Sequence, residues 1–423
     1  MGKNFINTFD FVGDMATAKD KEKILTTQKF ESGWNKEKLT LAVQESKTNS
    51  VFLEVSAMYN PDKTFPIKSF GKNGKPLEIP YKDRNKQNIL DMVADFKKVV
   101  VDLETDFEKK AEYDKLSYKI NALERKDELS NERKKDLKEY KEKYQELATN
   151  RHEFINDKDL VEFLHANLDV LTANKVRVRG NIEMSEWKGK YYTTYIPTHF
   201  ELVEEETPSK LKAKVDVYFE KDALDESCFK DTKKIFVSGY LQNYDRNVKE
   251  NRYFPKDFII NGEKLDMEDE KHVKYLDFLK DNFSCGEKNK NHVHHMIWEI
   301  TVYRGAEVHE ITYDDLTKSQ KTAVDLGINK LSDFKKNILG NTVDEYRAFR
   351  PALKIDEFAE GTVDTGFKLD DFLEKVARNT ADIRMEQAKK DEVKPEKRED
   401  KNSEEKKEEE KSSLEDELEN LFS

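Results

Sequence analysis

Apolar side chains in the first 84 residues recur at every second position. The pattern is clearest at Leu39, Leu41 and Val43 and again at Val51, Leu53 and Val55. This period is typical of β-strands that bury one face. The dipeptide Asn73-Gly74 carries the signal of a tight turn. We therefore predict a strand-rich module over residues 1–84.

The apolar period becomes helical after residue 84. Apolar positions are spaced by 3, 4 and 3 residues in two sets, which are Tyr113, Leu116, Ile120, Leu123 and Leu137, Tyr140, Tyr144, Leu147. We predict that region 85–156 contains two charged helices packed antiparallel as an inserted hairpin. The other positions are nearly all Lys, Glu and Asp, and two interpretations stay open: an arm that contacts other proteins, or a solvated spacer.

Residues 157–312 are predicted to form one helix followed by strands. The helix covers 157–173, and the strands cover 175–184, 192–203, 211–219, 234–241 and 254–260. A further hairpin is predicted over 296–311, with its turn at Arg304-Gly305. Strands at this spacing are typical of a small closed barrel.

The C-terminal part of the chain divides into two regions. Residues 313–388 are predicted to be mainly helical, with breaks at Gly340 and Pro351. Residues 389–423 are mostly Lys, Glu, Asp and Ser, and such a segment buries too little apolar surface to offset its ordering entropy. We predict an α+β fold that ends in a disordered acidic tail.

Composition limits the class of protein. The 25 Phe, 17 Tyr and 3 Trp are too many for a wholly disordered chain, although 38% of the residues are charged. The two cysteines, Cys228 and Cys285, imply no disulfide framework and fit a reducing compartment. Because no apolar run approaches the roughly 18 residues of a membrane span, and none resembles a signal peptide, we expect a cytoplasmic protein.

The net charge of −12 argues at first against a polyanionic ligand. Residues 391–423 hold 14 acidic and 7 basic side chains, so this tail carries −7 and the other 390 residues carry −5. The segment 175–257 has 16 basic and 15 acidic side chains. Nucleic-acid binding there requires acids and bases to lie on different faces.

Lys175, Arg177 and Arg179 form a row of cations on one face of a predicted strand. Alternate residues of a strand are roughly 7 Å apart, a spacing that can follow a phosphate backbone. Gly180 then permits the bend that a small barrel needs. The alternative is an ordinary solvated strand face.

Aromatic residues accompany cations on the following strands. Proteins that bind single strands combine aromatic platforms, on which bases stack, with a basic groove. The candidate DNA-binding residues are Lys175, Arg177, Arg179, Trp187, Lys190, Tyr191, Tyr195, Phe236, Tyr240, Arg246 and Arg252. The aromatic members would stack bases, and the cations would neutralise phosphates. The alternative is that part of the aromatic set belongs to the core.

No motif predicts catalysis or a metal site. Cys285, His292, His294 and His295 have zinc-ligand chemistry, but their spacing matches no standard zinc motif. The sequence contains no phosphate-loop, dinucleotide-binding, HExxH or GxSxG signature. We expect a non-enzymatic protein with no cofactor and no bound metal.

Three segments resemble the OB-fold strands of replication single-stranded DNA-binding proteins: Val176–Ile182, Gly189–Tyr192 and Ile235–Leu241. The acidic tail resembles the tail of bacterial members, which ends in acids followed by an apolar dipeptide, here Leu421-Phe422. Two features depart from that pattern, since no proline precedes Phe422 and Ser423 follows it. Chain length and the helical insertion look more like a bacteriophage protein than a bacterial housekeeping one.

This resemblance implies OB-like modules at 1–84 and 157–312, with DNA bound by the second. It implies sequence-independent binding and protection of single-stranded DNA in replication and recombination, in the bacterial cytoplasm. The tail would compete with DNA and would recruit replication or recombination proteins through Leu418, Leu421 and Phe422. Two alternatives stay open: a scaffold protein that does not bind DNA, and a metal-dependent nuclease.

Overall fold

The computed structural model describes residues 6–124, 130–147, 150–220, 222–245, 249–284, 294–309, 313, 316–330 and 338–352. This part of the chain is a mixed α+β structure dominated by strands, which confirms the predicted class. Each of its helices is too short or too polar to span a bilayer. The chain divides into two compact units, A (Thr8–Ile182 and Thr194–Leu211) and B (Met1–Asn7, Glu183–Thr193 and Lys212–Ser423).

Unit A combines a sheet with helices that interrupt it. Its strands are β1 (Asn7–Thr17), β2 (Leu25–Lys29), β3 (Asn35–Ser46), β4 (Asn49–Tyr59), β5 (Ile67–Phe70), β6 (Pro76–Ile79), β7 (Val99–Asp102), β8 (Arg151–Phe154), β9 (Lys175–Trp187) and β10 (Lys190–Leu202). Its helices are α1 (Lys21–Ile24), α2 (Gln87–Met92), α3 (Phe107–Glu124), α4 (Asn131–Glu146), α5 (Asp157–Ala166) and α6 (Leu168–Ala173).

The N-terminal strands of unit A share their sheet with strands that follow residue 174. β3 pairs antiparallel with β1, β2 and β4, and β1 also pairs antiparallel with β9. β10 is next to β9 and pairs parallel with β7, which pairs antiparallel with β8. Every second residue of β1, β3 and β9 is buried, as at Phe11, Leu41 and Val178. The alternate apolar residues predicted for these strands therefore form the face that packs against the core.

Helices α3 and α4 form the predicted hairpin. The rings of Tyr113 and Tyr144 stack at 4.2 Å, and the ammonium of Lys141 lies 2.7 Å from the carboxylate of Glu124. Tyr113 lies near the start of α3 and Tyr144 near the end of α4, so the helices run antiparallel. The buried Lys110 ammonium donates to the carbonyl oxygen of Leu202 at 2.7 Å, which fixes the base of α3 to β10.

Unit B contains a ring of five strands. Its elements are β11 (Lys210–Phe219), β12 (Leu224–Asp225), α7 (Phe229–Thr232), β13 (Lys234–Asp245), β14 (Glu250–Asn261), α8 (Glu270–Asn282), β15 (His294–His309), α9 (Lys318–Asp325) and β16 (Ile338–Pro351). β11 pairs with β13 and β15, β13 pairs with β14, and β16 pairs with β14 and β15. The β14–β16 pair is parallel and the others are antiparallel, so the five strands close on themselves.

The ring encloses an aromatic core. The side chains of Trp298, Tyr346 and Phe258 are fully buried. Phe283, the residue that ends α8, stacks on Trp298 at a centroid distance of 4.0 Å. This contact packs α8, which lies between β14 and β15 in the chain, against the core.

The described residues of the C-terminal half, which exclude 353–388, differ from two predictions. β15 runs without a turn through Arg304-Gly305, because Gly305 is buried in the ladder opposite Val343. Residues 313–388 contain the strand β16 as well as α9, because pairing with β14 and β15 outweighs local preference. The ring also takes only three of the five strands predicted for a barrel between 175 and 260; β9 and β10 pair in unit A instead.

Candidate nucleic-acid interface

The cation row on β9 is occupied by ion pairs. Asp10 on β1 accepts two bonds from the Arg177 guanidinium, at 2.6 and 2.8 Å, and one from Lys210 at 3.0 Å. Burial acts to raise the pKa of Asp10, but the hydrogen bonds and charges of Arg177 and Lys210 bring it below its usual value. The hydrogen bond to Asp10 raises the pKa of Arg177.

The rest of the row is also partnered. Glu201 lies 3.4 Å from Arg179 and 3.0 Å from Lys110, and the Lys175 ammonium donates to the carbonyl oxygen of Glu205 at 2.8 Å. A phosphate backbone would have to displace these carboxylates from Arg177 and Arg179. Acids from β1 and β10 therefore lie beside the cation row, and its role in phosphate binding stays a prediction.

Three predicted stacking residues are buried. Tyr195, Phe236 and Tyr240 are no more than 5% exposed. Tyr195 packs against the rings of Phe9 and Phe11, at 5.7 and 5.3 Å. Tyr240 belongs to a buried cluster with Tyr218 and Tyr253, and nearly every residue of β13 is buried on both faces of the strand. Burial leaves no ring face open to a base, which corrects these three assignments.

The β9–β10 turn keeps part of the predicted set accessible. Trp187 is 66% exposed and is followed by Lys188 and Gly189, which both have positive φ. Lys190 is exposed. Glycine adopts such a turn conformation without strain, and the turn presents Trp187 and Lys190 to solvent.

Two other members of the predicted set, Tyr191 and Arg252, belong to unit B and contact residues of the same unit. Tyr191 is half-buried and meets the edge of Phe254 at 6.3 Å. Arg252 lies 3.1 Å from Asp245 and 3.9 Å from Glu186. Arg246 and the tail residues Leu418, Leu421 and Phe422 lie outside the described part of the chain.

A surface that the sequence did not predict is formed by residues that lie between β4 and β7 in the chain. Phe70 and Phe96 are 40% and 73% exposed, their ring centroids are 6.5 Å apart, and the Lys97 ammonium lies within 6 Å of both. Aromatic faces beside a cation are the elements that hold single-stranded nucleic acid. We call this set, with Lys68, Lys72 and Met92, the hairpin surface.

Strand β5 and the turn that joins it to β6 supply half of the hairpin surface. The exposed residues Lys68, Phe70 and Lys72 alternate with Ser69 and Gly71, which are buried. The turn between the strands closes with a bond from the Gly71 N–H to the Lys75 carbonyl oxygen at 2.8 Å. Alternation therefore directs one aromatic ring and two ammonium groups to the same side.

The hairpin is tied to the segment after α2. The N–H of Lys72 donates to the Met92 carbonyl oxygen at 3.0 Å, and Gly71 forms a β-bridge with Val93. These backbone bonds bring residues more than 20 positions apart to one surface, a proximity that the sequence does not display.

A second aromatic group lies near the β2–β3 turn. The rings of Trp34 and Phe65 stack with centroids 5.6 Å apart and an interplanar angle of 12°. Phe30 and Phe65 are 38% and 49% exposed. Phe65 precedes β5 by only two residues, so both aromatic groups draw on the same segment of chain.

Charge is the signal that could have found this segment. Residues 60–98 contain nine basic and five acidic side chains, within a chain that is acidic overall. Among the described contacts, Lys63, Lys68, Lys72 and Lys75 form no ion pair, and their side chains are exposed. A local cation excess beside exposed Phe is typical of sites for anionic ligands that carry stackable rings.

The histidines of the predicted Cys/His cluster pack against aromatic rings. His295 stacks on Tyr218 at 4.4 Å and lies 3.2 Å from Asp216, and His294 stacks on Phe219 at 5.5 Å. Cys285 and His292 lie outside the described residues. Within the described ranges, no three His, Cys, Asp or Glu side chains converge as metal ligands.

Comparison with known proteins identifies no family. No family model matches the chain, and no curated protein matches it significantly in sequence. A solved structure of a deletion mutant of the single-stranded DNA-binding protein from Thermus aquaticus aligns with 84% of this chain and 97% of its own, at 9% identity and a TM-score of 0.29. That likeness is too low to carry an argument, so the function has to be inferred from the geometry.

Proposed function

We propose that this protein binds single-stranded DNA without catalysis and without sequence preference, and that the hairpin surface is a principal contact. The observation that carries the proposal is the exposed Phe70–Phe96 pair beside Lys97, on a segment with excess positive charge. Two exposed phenylalanine rings close together form an apolar patch, and contiguous patches of this kind often mark interaction sites.

Stacking and counterion release supply the physical basis. A base that stacks on an exposed ring contributes about 1–3 kcal/mol, whatever its identity, because every base has a π-face. The lysines around the rings neutralise phosphates and release counterions. Duplex DNA keeps its base faces stacked internally, so these rings favour the single strand.

We further propose that the unit B ring is an OB fold. With β11, β13, β14, β15 and β16 numbered 1 to 5, the strands pair in the order 1-2-3-5-4-1. Strands 3 and 5 are parallel, and α8 lies between strands 3 and 4 in the chain. A five-stranded barrel of this kind is a common scaffold for oligonucleotide binding. The DNA path would then include Trp187 and Lys190, the exposed members of the predicted set at the β9–β10 turn.

The acidic tail has a proposed regulatory role. Residues 391–423 carry a net charge of −7 and can compete with phosphates for the same lysines. Near the end of the chain, three apolar side chains lie among acidic residues: Leu418, Leu421 and Phe422. We assign them to the recruitment of a replication or recombination protein.

One observation favours a second function. Acids neutralise the β9 row, and the α3–α4 hairpin presents mainly charged side chains, as a scaffold that does not bind DNA would. The hairpin surface around Phe70 and Phe96 favours DNA binding over that interpretation, because a scaffold does not require cations beside exposed rings.

Fluorescence anisotropy of a labelled oligo(dT) tests the proposal. The full chain is titrated at two salt concentrations, with a duplex of equal length as the control. Tight binding to the single strand that weakens with salt, together with weak duplex binding, supports the proposal. Absence of single-strand binding at low salt, with the tail also removed, favours the scaffold.

A further inference from the structure

A cavity of about 420 Å³ lies beside β8 in unit A. Its volume falls in the range of about 300–1,000 Å³ that is usual for small-ligand sites. The walls include three half-buried aromatic residues (Tyr113, Phe154 and Phe163), the guanidinium of Arg151, and the exposed amides of Asn85 and Gln87. Leu90, His152 and Glu153 complete the lining, and Lys98 pairs with the Glu153 carboxylate. The apolar rings, the two amides and the Arg151 cation can then hold a flat, polar-edged anion.

The rings form a connected wall. Phe163 on α5 lies 5.0 Å from Phe154 and 4.5 Å from His152, measured between ring centroids. Burial lowers the pKa of His152, so this imidazole is neutral at pH 7 and behaves as an aromatic surface. A planar heterocycle can stack against such a wall.

β8 supplies polar groups at the same place. It is the last strand of the sheet and, in the described part of the chain, pairs only with β7. In an antiparallel pair, alternate residues direct their N–H and C=O groups away from the partner strand. Two of the four residues of β8 therefore present a donor and an acceptor outward, which matches the edge of a nucleobase.

Charge around the cavity favours a phosphate at one side. Glu153 is held by Lys98 at 2.8 Å, whereas the nearest carboxylate described for Arg151 is Asp102, at 4.0 Å. The Arg151 guanidinium lies 5.7 Å from the Tyr113 ring centroid. This cation is within reach of an anion that enters the cavity.

The wall that carries the amides is held in place. Arg84 makes a bidentate bond to Asp159 on α5, at 2.6 and 2.9 Å, and so ties the turn before α2 to the far side of the cavity. Asn85 and Gln87 follow directly in sequence. The site is preformed, which lowers the ordering cost of binding.

We propose that this cavity binds one deoxynucleotide, with its base against the aromatic wall and the edge of β8 and its phosphate at Arg151. The site deepens the proposed function and rests on it for its biological meaning, because Asn85, Gln87 and the hairpin surface belong to the same segment. One base of a bound strand would leave the stack and enter the cavity, as single-stranded nucleic acid readily permits.

Saturation-transfer NMR with thymidine 5′-monophosphate and the full chain tests the site directly. We expect transfer to the base protons and none to deoxyribose 5-phosphate, which lacks the base. Gln87→Trp should fill the cavity from an exposed position and reduce the transfer to the part that arises at the hairpin surface. Asn88→Trp, also exposed but absent from the cavity wall, should retain it.

Two further variants make the test specific. The double variant Phe70→Ala/Phe96→Ala should retain the thymidine monophosphate signal, because the hairpin surface is separate from the cavity. Phe163→Leu, which keeps an apolar side chain, should weaken it. Equal transfer to wild type and a folded Gln87→Trp, or no transfer to the base in wild type, overturns the inference.

The test separates this inference from the proposed function. A chain that binds oligo(dT) but not the mononucleotide keeps the function and loses the cavity. A chain that binds the mononucleotide at this cavity but not oligo(dT) keeps the cavity and loses the function.

Discussion

The backbone N–H of Ala94 donates to the carbonyl oxygen of Phe70 at 2.8 Å. This bond joins β5 to the segment that follows α2, and Phe96 lies two residues after it. The bond holds the two backbone segments together, and the exposed rings of Phe70 and Phe96 lie 6.5 Å apart. We call this pair the platform.

The platform should carry a large share of single-strand affinity. We expect Phe70→Ala and Phe96→Ala each to weaken oligo(dT) binding by roughly 5- to 150-fold, since each stacked base contributes about 1–3 kcal/mol. Anisotropy titrations measure the change. Tyr118→Ala is the matched control, because Tyr118 is a 77% exposed aromatic residue on α3 that lies outside the platform. A similar loss in both sets would contradict the assignment.

The cations beside the platform should set the salt dependence. Replacing Lys68, Lys72 or Lys97 with Ala should reduce the slope of log affinity against log salt by about 0.7 for each phosphate that is no longer neutralised. Arg177→Ala should leave this slope unchanged, because Arg177 is already paired with Asp10. If the salt dependence of binding is weaker in Arg177→Ala than in the lysine variants, the cation row on β9 contacts DNA.

The Asp10 pair should make stability depend on pH. Because the folded state holds the pKa of Asp10 below its ordinary value of 3.8, the pair stabilises the fold at neutral pH, and this stability is lost as the pH falls through and below that value. Asp10→Asn should lower the free energy of unfolding at pH 7 and show a smaller loss below pH 4. Denaturant unfolding at several pH values measures both effects.

The control for that experiment is Glu31→Gln, which removes an exposed carboxylate with no ion pair among the described contacts. Its unfolding free energy should follow that of wild type at each pH. If the Asp10→Asn curve also follows wild type, the Arg177–Asp10 bond does not stabilise the fold.

Gly180 should tolerate no side chain. A Cβ at this position would lie 2.1 Å from the Ile196 carbonyl oxygen and 2.7 Å from the Phe9 ring. Gly180→Ala should therefore destabilise the protein by about 1–3 kcal/mol, a typical cost of overpacking a core. Thermal unfolding measures the loss, and Ser185→Ala, at an exposed position of the same strand, should unfold like wild type.

Removal of residues 391–423 should tighten single-strand binding at low salt. The deletion removes a net charge of −7 that competes with DNA for lysines. The difference should shrink at high salt, where such competition is screened. A deletion variant with unchanged affinity at low salt would show that the tail does not compete.

The sequence by itself determined the local elements. Alternate apolar residues placed β3, β4 and β9 on the chain, and the 3-4-3 spacing of Tyr113 and Tyr144 with their neighbours placed α3 and α4. These patterns arise from contacts between near neighbours, whose geometry is set by the period of the strand or helix.

Only the tertiary structure decided which faces stay open. Asp10 and Arg177 are 167 positions apart, and their bond gives a predicted phosphate contact an acidic partner. Tyr240 looked available because one face of β13 was expected to be solvated, but both faces are covered. Phe70 and Phe96 carried no periodic signal, and backbone bonds between distant segments made them one surface. Burial and pairing depend on residues far apart in the chain, and a local pattern contains no information about those partners.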